Sequence, residues 1–147
     1  MIEDIEVMAA QKALAQGDYA LAWMNARRVL DSYPRHPLAL LVAGQTALAS
    51  GNGEAAKHLM LEALLRDPES LDVQDTLLKA FLADKGQNFK LPSEPLAGLY
   101  SLMTALPDLG HIPLALGLAL EAQGRASDAI GPYLAASRLM PVHGLPT

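Results

Sequence analysis

The chain contains no cysteine among its 147 residues. Disulfides, thiolate metal sites and a cysteine nucleophile are excluded together, and the composition suits a reducing compartment. Aromatic residues are scarce, at 5%. A core of Leu, Ala, Val and Met favours close-packed helices over a sandwich of aromatic strands. Positive charge is also short, with 11 Lys and Arg against 16 Asp and Glu and a net charge of −5. Nucleic-acid binding asks for a basic face that displaces counterions. The local basic groups are Arg27 with Arg28 and Arg35 with His36, read as solvated helix surface and turn. Apolar runs are short too: the longest, near Pro37–Gly44 and Ile112–Leu120, are below bilayer-spanning length. The opening MIEDIEVMAA is acidic and lacks the basic-then-apolar order of a secretion signal. The expectation is a cytoplasmic chain with no nucleic-acid partner and no membrane insertion.

What is present is a well-punctuated, apolar chain, 51% hydrophobic and 18% charged. The stretch AQGDYALA, Ala15–Ala22, interrupts an Ala-rich helical run with a glycine and restarts it at once. Glycine tolerates the left-handed conformation just past a helix end, and proline cannot continue a helix. Gly17, Pro34, Gly51 and Pro68 lie 17 residues apart, as do Pro107, Gly124 and Pro141. Between Pro68 and Pro107 the spacing is irregular, with Gly86 as the intervening mark and about five extra residues. The unit is a helix pair of 34 residues, seen nearly four times. Gly17 closes the first helix of a hairpin, Asp18 caps the second through its carboxylate, and Pro34 ends it. Apolar series support this: Leu40, Ala43, Gly44, Ala47 and Ala56, Leu59, Met60, Ala63 both follow i, i+3, i+4, i+7. Small residues recur where paired helices must approach: Ala22, Gly44, Ala56, Gly117, Ala129 and Ala136.

The 34-residue period, with Gly-Asp-Tyr, then Ala, then Pro, resembles the tetratricopeptide repeat. Repeat one, about 3–36, matches through Gly17, Asp18, Tyr19, Ala22 and Pro34. Repeat two, 37–70, matches through Gly44, Gly51, Ala56, Ala63 and Pro68. The last, about 110–142, matches through Gly117, Gly124, Ala129, Tyr133, Ala136 and Pro141. The third, about 71–109, departs: its first helix runs near Leu71–Asp84, GQNFKLPSEP replaces the turn, and the second helix starts around Ser93–Pro95. The resemblance implies a single all-α domain over 1–147, a right-handed α-solenoid of stacked antiparallel helix pairs. Pro132 falls in a first turn if the last helix starts near Asp128, and predicts a kink if it starts earlier. No polar cap follows the last repeat, so a longer parent protein or a second molecule is expected to cover its apolar face.

In the resembled family the first helices of successive repeats line a concave groove that holds a peptide or helix. Carried over repeat by repeat, the lining is Asp4, Val7, Gln11 and Leu14, then Leu38, Leu41, Gln45 and Leu48. It continues with Asp72, Asp75, Lys79 and Leu82, then His111, Leu114, Leu118 and Glu121. A row of leucines suggests a partner's apolar side chains; packing against neighbouring helices is the competing reading. Family members that clamp acidic C-terminal tails use Lys, Asn and Arg at fixed groove positions. Here those positions read Val7, Gln11, Val42, Asp72 and Thr76, which argues against a carboxylate clamp.

Catalytic signatures are thin. Gly51-Asn52-Gly53-Glu54-Ala55-Ala56 has the glycine spacing of a dinucleotide fold but follows a helix, where that pattern needs a strand. Glu54 and His58 sit one turn apart and read as an exposed pair, since two ligands do not make a metal site. His36, His111 and His143 are scattered, and neither a nucleophile elbow nor a phosphate loop is present. The expectation is a non-catalytic protein-interaction module, without cofactor or metal, acting as a scaffold or chaperone and able to self-associate through its last repeat. The alternative is an accessory domain of a larger enzyme, such as a bacterial glycosyltransferase or sulfotransferase.

Overall fold

The computed structural model describes residues 2–82 and 90–140. The expected turn at Gly86, the helix end at Asp84, Pro141 and His143 lie outside the described residues. Within them the chain is helical throughout, as eight helices: α1 (Ile2–Ala15), α2 (Tyr19–Ser32), α3 (Pro37–Ala49), α4 (Gly53–Arg66), α5 (Leu71–Leu82), α6 (Pro95–Ala105), α7 (His111–Ala122) and α8 (Ala126–Leu139).

Three hairpins share one turn chemistry. Gly17, Gly51 and Gly124 adopt φ of 79°, 83° and 76°, the left-handed conformation that lets the chain reverse. The residue after each glycine then donates its N–H back into the helix: Asp18 to Ala13 O at 2.9 Å, Asn52 to Ala47 O at 2.8 Å, Arg125 to Leu120 O at 2.8 Å. These bonds satisfy carbonyls the helix end would leave orphaned. Two of the same residues also cap the next helix. Asp18 Oδ1 accepts from Leu21 N and Asn52 Oδ1 from Ala55 N, both at 3.2 Å. Arg125 has no capping side chain; its Nε instead donates to Asp128 Oδ2 at 2.9 Å. The return junctions use other caps, His36 Nδ1 accepting from Ala39 N and Ser70 Oγ from Val73 N, each at 3.2 Å.

Small side chains set how closely the hairpins close. Ala22, Ala56 and Ala129 are buried, as are Gly44 and Gly117. A Cβ on Gly44 would meet the Met60 methyl, and one on Gly117 would meet the Tyr133 ring. α3 is therefore drawn onto α4, and α7 onto α8. α8 starts at Ala126 and runs through Pro132, which lies in its second turn. The proline removes the N–H that would otherwise donate to the Asp128 carbonyl, yet the helix continues to Leu139.

The third repeat breaks the stacking rule. α5 and α6 make a narrow contact, unlike the broad faces shared within the other three hairpins. α7 packs on α6 and α8 and also on α4, and α5 is not among its principal neighbours. The main core follows this route, joining Met60, Leu64, Leu77, Leu99, Leu102 and Leu116 in one cluster. Gln74 holds the joint. Fully buried on α5, its Nε2 donates to Pro68 O at 2.9 Å and to Pro95 O at 3.0 Å. Its Oε1 lies where a Cβ on Gly98 of α6 would sit. One amide thus ties the end of the second repeat to the start of α6.

These contacts are measurable by urea denaturation. Gly117→Leu drives a side chain into the Tyr133 ring and lowers unfolding free energy by about 1–3 kcal/mol. Gly53→Ala, at the start of α4 with open space around it, changes it by less than about 1 kcal/mol. Gln74→Ala removes a fully buried side chain and its donor to two part-buried carbonyls, and costs about 1–3 kcal/mol. Gly98→Ala is damaging alone but far less so on top of Gln74→Ala, because the two side chains compete for one space. Additive losses in that double variant would contradict the packing described here.

Candidate protein-binding groove

The inner helices α1, α3 and α5 lie side by side, each the first helix of its hairpin. The repeat places equivalent residues in rows across them. Gln11, Gln45 and Lys79 form one row; Gln11 and Lys79 are exposed and Gln45 is half-buried. Leu14 and Leu48 begin a second row and are half-buried. Asp4 and Asp72 are exposed, Asp75 is half-buried, and Leu38 is 37% exposed. Lys79 Nζ sits 2.9 Å from Asp75 Oδ2, an exposed i,i+4 pair of the kind that adds little stability.

Three residues expected to line the groove are core instead. Val7, Leu41 and Leu82 are at most 8% exposed. Val7 packs with Ala10, Ala26 and Val29, whereas Leu41 and Leu82 join the main cluster. An inner helix touches its own partner and at least one neighbouring repeat, so its buried stripe is wider than one helical face. Val42 and Thr76, two positions of the carboxylate-clamp comparison, are buried for the same reason.

The last repeat contributes separately. His111, Leu114, Leu118 and Glu121 lie on α7, which stacks on α4 and α6. They do not extend the α1–α3–α5 rows as the repeat pattern suggests. His111 and Leu114 are half-buried, and Leu118 and Glu121 are exposed. Burial lowers the His111 pKa, opposed by the Glu62 carboxylate on α4. Behind α7, burial and the neighbouring Glu121 carboxylate push the Tyr133 hydroxyl up to about 12. At the far end of the helix, Gln123 Nε2 donates to Glu69 Oε1 at 2.6 Å.

A second concavity was not anticipated from sequence. Between the outer helices α2 and α4 lies a cleft of about 480 Å³ floored by Trp23, Leu30, Leu40 and Leu59, with Arg27, Asp31 and His58 at its edge. Trp23 also walls a smaller pocket of about 370 Å³ with Tyr19, Thr46, Ala47 and Asn52. The available signal was the single tryptophan of the chain, placed on an outer helix where the second and last repeats carry Lys57 and Ile130. Glu54 pairs with Lys57 at 3.1 Å, leaving His58 exposed on α4. Among the described residues no three His, Cys, Asp or Glu side chains are grouped to hold a metal. Also among them, no helix is long and apolar enough to cross a membrane. Gly51 and Gly53 serve the turn between two helices, which is not the strand-to-helix turn of a dinucleotide site.

Comparison with known proteins agrees with this architecture. A tetratricopeptide repeat family model matches residues 13–81. No curated protein matches the chain. Among solved structures, a thermophilic TPR protein of Thermus thermophilus is 22% identical with a TM-score of 0.56, covering 95% of this chain and 75% of that one. A crystal structure of MamA protein is 21% identical with a TM-score of 0.53, covering 95% of this chain and 73% of that one. A MamA mutant is 18% identical with a TM-score of 0.52, covering 94% of this chain and 77% of that one. At these identities the likeness is one of fold. Residues 13–81 therefore carry tetratricopeptide repeats, and the chain as a whole has the all-α solenoid fold that such repeats build.

Proposed function

We propose that this chain is a protein-interaction module that holds a segment of a partner protein against the accessible face of α1, α3 and α5. The observation that carries the reading is the row Gln11, Gln45 and Lys79, one side chain per repeat, accessible on three adjacent helices. A carboxamide both donates and accepts, so Gln11 and Gln45 can pair with the backbone of an extended segment whatever its side chains are. Leu14 and Leu48 beside them offer apolar surface for every other side chain of that segment. Asp4, Asp72 and Asp75 flank the row and favour a segment with basic residues. Lys79, the cation of the row, is already paired with Asp75, so the row is poorly suited to acidic tails. Holding a segment while leaving it chemically unchanged suits a scaffold or chaperone.

Peptides selected by display against the full chain test the reading. The expected binders weaken more than tenfold with Gln11→Ala and Gln45→Ala together, while the melting temperature stays within a few degrees. Arg28→Ala, exposed on the outer helix α2, leaves their affinity unchanged. Binders that ignore the paired glutamine substitutions and respond at Trp23 would move the site to the α2–α4 cleft. Leu41→Glu is unsuited as a probe, because a buried carboxylate there would unfold the repeat.

A further inference from the structure

The two ends of the described solenoid expose apolar side chains: on the first helix at register positions that are buried in the other repeats, and on the last at a position that elsewhere packs on the next repeat. On α1, Ile5 and Met8 are 67% and 65% exposed. The matching pairs are Ala39 and Val42 on α3, Val73 and Thr76 on α5, and Ile112 and Ala115 on α7. All six are buried, and each of these helices packs against the hairpin or helix that precedes it. The opposite end repeats the pattern. On α8, Ile130 and Leu134 are 60% and 53% exposed. Ile130 stands in the register of Trp23 and Lys57. Trp23 packs on Ala47 and Ala56 of the following repeat, and Lys57 Nζ lies 5.3 Å from the Phe81 ring centroid. Leu134, one turn on from Ile130, stands in the register of Arg27, which is exposed, and of Leu61, which packs on the main core.

We propose that the first hairpin of one copy of this chain docks on the last hairpin of a second copy, head to tail. The exposed pair on α1 then takes the place that the pairs on α3, α5 and α7 already occupy. Ile130, with Leu134 one turn on, covers it as Trp23 and Lys57 cover the repeats after them. The contact continues the repeat-to-repeat interface, so it needs no new geometry. Because the two surfaces differ, it is heterologous and does not stop at a dimer: copies add in an open chain or close into a ring. The interface lies at the ends of the solenoid and is independent of the peptide-binding reading above.

The test is sedimentation velocity on the full chain over a concentration series, with two paired variants. The wild type is expected to form species larger than a dimer as concentration rises. Ile5→Ser with Met8→Ser disables one face, and Ile130→Ser with Leu134→Ser disables the other. Each variant alone is expected to remain monomeric at concentrations where the wild type assembles, with unchanged helical circular dichroism. Mixed one to one, they are expected to form a dimer and nothing larger, because each retains the face the other has lost. A wild type that stays monomeric at several hundred micromolar would overturn the proposal. So would assembly that halts at a symmetric dimer, or a mixture that stays monomeric.

Discussion

No helix hairpin in this chain can bury its own apolar surface, and the architecture follows from that constraint. Two helices of 14 residues leave apolar groups on three sides of an inner helix, more than one partner can cover. The deficit is met by stacking, and stacking requires close approach. Alanine and glycine at the crossing points, such as Ala22 and Gly117, allow it, and the glycine turns hold each hairpin at the angle that makes it possible. The polar groups of the inner face stay accessible because no hairpin stacks against that face.

The stacking constraint also explains which parts of the molecule could be read from its sequence. Helix ends were legible because glycine and proline act locally: the left-handed residue at Gly17 and the carboxylate cap of Asp18 depend on nothing farther than one turn away. The start of α6 was legible for the same reason, with Glu94 capping and Pro95 at its first turn. The exposure of the groove residues was less so. A periodic pattern identifies one buried face, and an inner helix of a solenoid has nearly three. Leu41 and Leu48 lie on the same side by periodicity. The first is nonetheless buried and the second half-buried, because neighbouring repeats cover one more than the other.

The third repeat was legible as an irregularity, without its consequence. Extra residues between Pro68 and Pro107 announce that the hairpin does not close normally. They do not say where the next helix goes, because α4 and α7 meet through contacts about 50 residues apart in the chain. Nor does a glutamine in the first turn of a helix carry a local signal. Gln74 reads as solvent-facing until the carbonyls of Pro68 and Pro95 are placed around it.

The contact between α4 and α7 alters how the molecule carries mechanical load. In a regular solenoid every repeat is a link in series, so tension between the termini passes through each hairpin in turn. Here α4 hands load directly to α7, with Gln123 and Glu69 fastening the far end of that seam. α5 and α6 run in parallel with that seam, packed on the same core. The molecule should therefore respond to pulling as two stiff blocks welded together, with the irregular repeat as stored length released when the weld gives way.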